Sequence, residues 1–300
     1  MEQKPDFETG VNYWANTEAS VNGVLGGYGE GTPVPRLDAT SSRLLILSLI
    51  PSLSTIIPPH SNSTTPPRPK RTFRALDCGA GIGRVTSTVL LPLFDSVDLV
   101  EPVPSFVKQA KKDALAGKQG WRNLHPRKDE DGEELQVKNV RIWRAGLQHF
   151  NPLSPAVPVP TSTTSNPSVE LFASLGNSEF KFPNPESELD PTEEGYDLIM
   201  IQWCIGHLSD EELADFLRRS QKALRRSKDG KVEGYIIVKE NTCKDEEKDG
   251  RLFDDEDSSI TRSDAAFKSV FKQAGLRLLK REVQQGFPKE LFPVVAYALQ

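Results

Sequence analysis

The chain is poor in cysteine: only Cys78, Cys204 and Cys243 occur in 300 residues, far apart and without a C-x-x-C pair. Cys78 and Cys204 lie in apolar, strand-like runs, so we expect buried thiols in a reducing compartment. No apolar run is long enough to cross a bilayer, and the N-terminus lacks the apolar core of a signal peptide. We therefore expect a protein of the cytoplasm, the nucleus or both, without a membrane partner.

Positive charge is not in excess either, because 37 Lys and Arg residues stand against 42 Asp and Glu residues, a formal net charge of −5. No basic face stands out, which argues against nucleic acid as the main partner. An acidic balance is compatible with a cationic substrate. The short basic run at residues 68–71 is better explained as a solvated loop before a strand than as a nuclear address. No metal site is predicted, and the oligomeric state stays open.

The 23 prolines are many for this length, and they cluster. Three stretches are too polar or too rich in proline and serine for regular structure: residues 51–70, 117–138 and 151–195. Compact domains rarely contain structureless loops of this length, so we interpret all three as surface insertions that are largely disordered. The rest of the chain divides into an N-terminal extension at residues 1–50 and a domain at residues 71–300.

The most informative segment is Arg74–Arg84, where a short apolar run containing Asp77 enters a glycine-dense turn and then a helical pattern. The turn holds Gly79, Gly81 and Gly83. Glycine adopts positive φ without strain and leaves no Cβ against a ligand that lies on the turn. The segment therefore indicates a binding turn between a strand and a helix.

A second acid, Glu101, closes the next apolar run, at the distance where a nucleotide-type ribose would present its hydroxyls. Glycine turn and acid together indicate a nucleoside cofactor on an α/β sheet. A dinucleotide site would carry G-x-G-x-x-G, whereas the spacing here is G-x-G-x-G after an acid, which suits a cofactor without a phosphate. Taken alone, the turn is also compatible with a tight strand-to-helix connection that binds nothing.

Strand-like runs and helical patterns alternate along the domain, which is typical of parallel βαβ units. The last two runs have no helix between them, so they should form an antiparallel hairpin across residues 286–288. This order resembles the seven-stranded, Rossmann-like α/β sheet of class I S-adenosylmethionine-dependent methyltransferases, five parallel strands plus a C-terminal hairpin, with helices on both faces. The seven runs are Arg74–Cys78, Val97–Glu101, Val140–Arg144, Tyr196–Trp203, Gly234–Glu240, Leu276–Val283 and Val294–Leu299.

Two helices carry clear end signals. Ser209 with Glu212 forms a capping box before an apolar stripe. Asp264 is expected to cap a second helix, and Gly275 follows the end of that helix as a residue suited to positive φ.

Several further segments resemble one family closely, the alpha-N-terminal protein methyltransferases, which act on the α-amine of proteins beginning X-Pro-Lys or X-Pro-Arg. Together with the C-terminal helix and hairpin, these segments cover nearly all of the chain outside the insertions. The combination of an L-G-G-Y-G loop, I-Q-W-x-I-G-H-L and D-D-x-D-S-S is highly specific. The matching segments are Tyr13–Trp14, Asn22–Gly29, Leu76–Arg84, Ala145–Gln148, Ile201–Leu208, Lys239–Asn241 and Asp254–Ser259.

The resemblance implies S-adenosyl-L-methionine as cofactor and S-adenosyl-L-homocysteine as product. It implies that Gly79 lets the methionine part approach the backbone, that Arg84 pairs with the methionyl carboxylate and that Glu101 accepts the ribose hydroxyls. The family usually has Asp in place of Glu101, so this chain departs from it by one methylene. The resemblance also implies that Leu147 and Gln148 flank the adenine edge, and that Gln202 makes a further cofactor contact.

For catalysis the resemblance implies a carboxylate and an imidazole, Asp257 and His207. An α-amine has a pKa near 7.7–8.0, so much of it is protonated and non-nucleophilic at neutral pH. In-line methyl transfer needs the nitrogen lone pair, and an adjacent carboxylate and imidazole could take up the proton and hold the nitrogen.

The same resemblance implies the substrate contacts. Asn241 would bond the first backbone carbonyl, while Trp203 and Leu25 would enclose the second-position proline. Asp254 and Ser259 would bind the basic third residue. Tyr13 and Trp14 precede the sheet, and with the glycine-rich loop they would form a lid that excludes water.

The predicted activity is transfer of up to two or three methyl groups to the α-amine of X-Pro-Lys/Arg N-termini. Two alternatives stay open. A small-amine or lysine methyltransferase could use the same sheet without a proline-sized wall. A catalytically silent adaptor could retain a peptide groove, although the presence of Gly79, Arg84, Asp257 and His207 argues against it.

Overall fold

A computed structural model describes residues 3–54, 71–161 and 167–300 of the chain. Strands and helices alternate through most of this length. The strands are β1 (Arg74–Cys78), β2 (Ser96–Val100), β3 (Arg127–Lys128), β4 (Glu134–Leu135), β5 (Asn139–Arg144), β6 (Glu170–Gly176), β7 (Leu198–Gln202), β8 (Tyr235–Asn241), β9 (Arg251–Asp254), β10 (Ser259–Arg262), β11 (Leu278–Val283) and β12 (Val294–Leu299). The α-helices are α1 (Phe7–Ala15), α2 (Val21–Val24), α3 (Val34–Leu49), α4 (Leu91–Leu93), α5 (Pro104–Leu115), α6 (Asp210–Lys222) and α7 (Asp264–Gln273).

The central sheet has the strand order β11-β12-β8-β7-β1-β2-β5-β6. Neighbouring strands from β8 to β5 pair in parallel, and β12 and β11 complete one edge as an antiparallel hairpin. Parallel strands buried on both faces need apolar side chains in both directions, and β1, β2 and β7 are buried at every residue. The predicted α/β class and strand directions are confirmed.

The sheet has one strand more than predicted. Strand β6 pairs antiparallel with β5 at the other edge, inside the insertion expected to be disordered at residues 151–195. Apolar Leu171 and Phe172 start a short strand there, but the surrounding Pro, Ser and Asn residues hide its pattern in the sequence. Later in the same insertion, Leu189 is buried in the main core.

The other two insertions also contain order that the sequence did not predict. In the insertion at 117–138, Trp121 is buried in a 3₁₀ turn and β3 pairs with β4 as a small hairpin. At the start of the insertion at 51–70, Leu53 is buried in another 3₁₀ turn, and residues 55–70 lie outside the described residues. The prediction of disorder from composition was wrong here, because burial of a single aromatic or leucine side chain can anchor an otherwise polar segment.

Two apolar clusters pack on opposite faces of the sheet. One gathers residues of α6 and α7, such as Leu213 and Phe271, and the other gathers residues of α3 and α5, such as Ile46 and Val107. Of the described helices, none is long and apolar enough to cross a membrane.

The predicted helix ends are confirmed except at one position. Ser209 and Glu212 form the capping box of α6. Helix α7 is capped by Ser263, whose side chain accepts from the backbone N–H of Ala266, and not by Asp264 as predicted. Asp264 is the first helical residue instead. Either residue type caps helices well, so the sequence could not choose between neighbours.

The N-terminal extension packs over the cofactor side of the sheet. Apolar residues of α1 and α2 contact a small cluster formed by Ile82, Val103 and Phe106. Helix α3 then crosses beside the helical turn after β1, and its Asp38 is completely buried. The extension therefore packs against the domain and is not a detached arm.

Candidate active site

A cleft opens at the carboxyl ends of β1, β2 and β7, where open α/β sheets carry their ligands. It is lined by the glycine turn, by the loops after β2 and β5, and by residues of α1 and α2 that cover it. All six residues predicted to contact a cofactor line this cleft, namely Gly79, Arg84, Glu101, Leu147, Gln148 and Gln202.

The glycine turn requires glycine for two different reasons. Gly79 has φ +60°, and a Cβ there would lie 2.2 Å from the Cβ of Cys204. Gly83 has φ +76°, and a Cβ there would lie 2.4 Å from the Trp121 ring. At Gly81, φ is +56° but the space is open apart from Val24 at 3.7 Å. Packing thus accounts for Gly79 and Gly83, and of the three glycines only Gly81 has room for a Cβ.

Glu101 is buried, and both of its carboxylate oxygens accept backbone N–H groups. Oε2 accepts from Gly81 at 2.8 Å, and Oε1 accepts from Val103 at 2.8 Å. Burial raises the pKa of Glu101 to about 7, against the effect of these two hydrogen bonds. Each oxygen keeps a second lone pair that can accept a hydroxyl group.

Asp77, near the end of β1, stabilises the glycine turn through a hydrogen bond to the helical turn that follows it. Its carboxylate accepts from the Thr86 hydroxyl at 2.5 Å, and burial raises its pKa to about 6. This contact ties the end of β1 to the helical turn that follows it.

Arg84 is held by a buried acid that the sequence analysis missed. Its Nη1 lies 2.6 Å from Oδ2 of Asp38, and its guanidinium lies over the Trp203 ring at 5.4 Å. Asp38 also accepts from Nε2 of Gln202 at 2.9 Å and pairs with Nζ of Lys239 at 2.6 Å. A lone Asp in a helix carries no sequence signal for this role, because its three partners come from three separate segments.

A second arginine fixes the loop after β5. Arg219 of α6 donates to three backbone carbonyls of this loop. The acceptors are the carbonyls of Leu147, Gln148 and Phe150, at 3.1–3.3 Å. The loop that lines one end of the cleft is therefore held by a side chain on a neighbouring helix.

The loop after β7 carries Trp203 and His207 and is fixed from two sides. Buried Glu240 accepts from the backbone N–H groups of Cys204 and Ile205, and burial raises its pKa to about 7. The fully buried Arg262 donates to carbonyls of the same loop. Trp203 has φ +53°, a conformation that non-glycine residues rarely adopt, and these contacts hold it there.

His207 and Asp257 are brought together although 50 positions of sequence separate them. Nε2 of His207 lies 4.0 Å from Oδ2 of Asp257. Nε2 also accepts from Nε1 of Trp14 at 2.8 Å, which leaves the ring proton on Nδ1. Burial lowers the pKa of His207, while Asp257 and the Ser258 backbone act in the opposite direction.

Asp257 has one buried carboxylate oxygen, Oδ1, with no hydrogen-bond partner in the described part of the chain. A buried, unpaired carboxylate oxygen is costly, so it indicates a donor that arrives with a ligand. Helix α1 closes over this pair: a Cβ at Gly10 would lie 2.8 Å from Nδ1 of His207.

The acidic turn that contains Asp257 joins β9 to β10. Asp254 and Ser259 are paired across this hairpin, and Ser259 also packs against Gly206, next to His207. Tyr13 faces the same turn: burial and the negative charges of the turn raise its pKa. Asp254 is exposed.

Not every predicted residue lines the cleft itself. Trp14, Trp203 and His207 do. The others lie outside its lining, and Val24 lines it in place of its neighbour Leu25. Those outside are Leu25, Tyr13, Asn241, Asp254, Asp257 and Ser259.

The structure adds residues that sequence reasoning did not select. Phe7, Gly10 and Val24 line the cleft from the N-terminal extension. Phe287, in the loop between β11 and β12, lies 6.3 Å from the Trp203 ring. Its G-F-P context predicts only a hairpin turn, and no sequence pattern indicates a contact with Trp203.

The residues at the cleft fit S-adenosylmethionine. Glu101 offers acceptors for hydroxyl groups, and Arg84 offers donors for a carboxylate. Oε1 of Gln202 is buried without a partner in the described residues, an acceptor suited to an amino group. Apolar Leu147, Val103 and Phe106 supply the walls that an adenine ring needs.

Comparison with known proteins agrees with this chemistry. The sequence model of the family described as AdoMet dependent proline di-methyltransferase matches residues 2–154 and 173–300. The alpha N-terminal protein methyltransferase 1 of Arabidopsis thaliana is 32% identical, over 98% of this chain and 79% of that protein. The N-terminal Xaa-Pro-Lys N-methyltransferase 1 of Bos taurus is 32% identical, over 100% of this chain and 97% of its own length.

Among solved structures, a SAM-dependent methyltransferase of Leishmania major superposes with a TM-score of 0.63. It is 30% identical, and the match covers 98% of this chain and 82% of that one. The family, the fold and the cofactor predicted from the sequence are confirmed by these matches. The chain belongs to the AdoMet dependent proline di-methyltransferase family and is an S-adenosylmethionine-dependent methyltransferase.

Proposed function

We propose that this enzyme methylates the α-amine of protein N-termini that begin X-Pro-Lys or X-Pro-Arg. The observation that carries the proposal is the His207–Asp257 pair beside the cofactor cleft, with a buried carboxylate oxygen that has no partner in the described residues. The names of the relatives from Arabidopsis thaliana and Bos taurus support the same reaction class.

Asp257 is the group that meets the substrate ammonium first. Its Oδ1 is free to accept a hydrogen bond, whereas Nε2 of His207 is engaged by Trp14. The carboxylate orients the nitrogen and attracts its positive charge. Burial lowers the pKa of His207 and favours the neutral ring, so Nε2 can take up the proton once Trp14 turns away.

The cofactor supplies an electrophilic methyl group on a sulfonium when it is bound. In our proposal Arg84, Gln202 and Glu101 hold its polar ends, while Leu147 and Gln148 flank the adenine. Helix α1 and Trp14 cover the cleft and exclude water from the reacting nitrogen.

The acidic hairpin supports selection of a basic third residue. Asp254, Asp255 and Glu256 are all exposed, and they lie on the turn that also carries Asp257. A Lys or Arg two positions after the reacting amine would reach Asp254 and Ser259. Several exposed carboxylates on one turn repel each other, and a cationic side chain relieves that repulsion.

Trp203 and Phe287 support selection of proline at the second position. Their rings lie 6.3 Å apart at an angle of 39°, and both are only partly buried. Two aromatic faces suit a pyrrolidine ring, whose fixed φ lowers the cost of ordering the peptide. Asn241 ends β8 and would bond the first backbone carbonyl, and Leu25 and Tyr13 would close the outer side.

The number of methyl groups, up to two or three, is part of the proposal. So is a location in the cytoplasm, the nucleus or both, where newly made protein N-termini are available. Protein N-termini are the proposed partners, in preference to nucleic acid or membrane.

The test is mass spectrometry of four peptides incubated with the protein and S-adenosylmethionine. They begin Ser-Pro-Lys, Ser-Ala-Lys, Ser-Pro-Gln and acetyl-Ser-Pro-Lys. We expect stepwise mass gain on the first peptide, located on the α-nitrogen, and little or none on the others. Gain on the acetylated peptide would move the chemistry to lysine. Failure of all four, with cofactor binding intact, would favour a small amine or an adaptor role.

A further inference from the structure

Asp38 is an unusual acid for an N-terminal helix, because it is completely buried and contacts three polar residues of the domain. It pairs with Arg84 and with Lys239. Both of its carboxylate oxygens also accept from the amide Nε2 of Gln202. Burial by itself would raise the pKa of Asp38, but the two cations outweigh it and hold the pKa below its usual value. The carboxylate is therefore charged at neutral pH.

The geometry distinguishes the roles of these partners. Lys239 is 3% exposed and is further bonded to the hydroxyls of Ser41 and Ser42, so it is fully engaged inside the helix–sheet contact. Arg84 and Gln202 instead line the cleft, so they have one side on Asp38 and another on the ligand space. Asp38 is thus bound to two cleft residues that are separate in the sequence.

We propose that Asp38 is a positioning residue that orients Arg84 and Gln202 toward the aminocarboxylate end of S-adenosylmethionine. A guanidinium on a flexible side chain recognises a carboxylate well only when its plane is fixed. Asp38 fixes one edge through Nη1, and the Trp203 ring lies under the group. The same carboxylate takes the amide nitrogen of Gln202, which directs Oε1 away from itself as an acceptor for the ligand.

The inference rests on the assignment of Arg84 to the methionyl carboxylate in the proposed function, but not on the peptide substrate. It also implies that the N-terminal extension takes part in cofactor binding through α3. A merely structural Asp38 would anchor α3 to Lys239 and would have no preference for any part of the cofactor.

The experiment is calorimetric binding of two ligands, S-adenosylhomocysteine and 5′-methylthioadenosine, to full-length variants. The second ligand keeps the adenosine and the sulfur but lacks the aminocarboxylate. For Asp38→Asn we expect S-adenosylhomocysteine to bind about tenfold more weakly, as for loss of one charged hydrogen-bond partner, and 5′-methylthioadenosine to bind as in the wild type. Arg84→Ala should show the same selectivity, and adding Asp38→Asn to it should cause only a smaller further loss, the part that acts through Gln202.

Asp98→Asn is the matched control, because Asp98 is an equally buried acid that pairs with Arg74 and Arg141 away from the cleft. It should lower the melting temperature without changing the ratio of the two affinities. If Asp38→Asn does not fold, the double variant Asp38→Asn/Lys239→Met removes the unmatched lysine and serves in its place.

Four results would overturn the inference. Equal weakening of both ligands, or no weakening of either, would make Asp38 a structural anchor only. Tighter binding of S-adenosylhomocysteine would mean that Asp38 competes with the ligand for Arg84. Arg84→Ala without a selective loss would remove the assignment of Arg84 itself, and with it the role of Asp38, whatever peptide the enzyme methylates.

Discussion

Nε1 of Trp14 donates a hydrogen bond of 2.8 Å to Nε2 of His207, which joins the N-terminal helix to the imidazole beside the cleft. The acceptor nitrogen must be unprotonated for this bond to exist. The contact therefore acts with burial to favour the neutral ring. It also means that one aromatic residue of the extension occupies the unprotonated nitrogen of His207.

Removing this donor should make His207 more basic. In Trp14→Phe the aromatic packing is retained but the hydrogen bond to the unprotonated Nε2 is lost, so we expect the pKa of His207 to rise. The titration of the histidine Cε1 proton in NMR spectra measures it, with assignment by His207→Gln. Tyr13→Phe, on the same helix, is the control and should leave this pKa unchanged. A lower or unaltered pKa in Trp14→Phe would contradict the assigned role of the bond.

Cofactor affinity should depend on pH through Glu101. Its pKa of about 7 in the free protein belongs to a carboxylate that must be ionised to accept ribose hydroxyls without competition. Cofactor binding should then release protons, and S-adenosylhomocysteine should bind about tenfold more weakly at pH 6 than at pH 8. Calorimetry in two buffers of different ionisation enthalpy counts the protons. Glu101→Gln should bind weakly at both pH values, and an unchanged pH dependence in that variant would assign the effect to another group, such as Asp77.

Loss of Arg219 should weaken the adenosine end of the site. Arg219→Ala leaves three carbonyls of the loop at Leu147–Phe150 without their donor, so the loop should loosen. We expect S-adenosylhomocysteine and 5′-methylthioadenosine to lose affinity together, by about five- to tenfold. Arg218→Ala is the control, since its side chain is half-exposed and bonds Asp215 and the Gln273 backbone. A loss confined to S-adenosylhomocysteine would contradict this account.

Replacing Asp257 should impair catalysis far more than cofactor binding. Asp257→Asn keeps the size of the side chain but removes the charge that attracts and orients the amine beside His207, so kcat on a Ser-Pro-Lys peptide should fall about a hundredfold or more. The Kd of S-adenosylhomocysteine should stay within about threefold, because Asp257 does not line the cofactor cleft. A parallel loss of cofactor affinity would show that the residue supports the fold of the cleft instead.

Replacing Asp254 should weaken recognition of the basic third residue. Asp254→Ala should raise KM for a Ser-Pro-Lys peptide about tenfold with a smaller change in kcat, and it should leave the already low activity on a Ser-Pro-Gln peptide unchanged. Asp255→Ala, which alters the neighbouring exposed acid, is the control and should change KM little. Equal effects of the two variants would assign selectivity to the summed charge of the turn and not to Asp254.

Much of this enzyme could be predicted from local patterns. The five parallel strands and the final hairpin follow from apolar runs, and Ser209 with Glu212 fixed the start of α6. The glycine turn and Glu101 identified the cofactor side, because close backbone approach and an acceptor at a strand end leave a short, recognisable pattern. These features depend on residues within a few positions of each other.

The tertiary structure decided the contacts between residues that are distant in the sequence, which local sequence patterns cannot predict. Trp14 and Asp38 meet His207 and Arg84 only because the extension folds back across the sheet. The edge strand β6 and the buried Trp121 were hidden in polar insertions, since order there depends on contacts with distant residues. Sequence patterns record which residues share a strand or a helix face, whereas a buried ion pair is fixed by the space left between elements. The sequence by itself therefore determined the family, the sheet and the cofactor, and only the tertiary structure decided which side chains orient the groups that bind it.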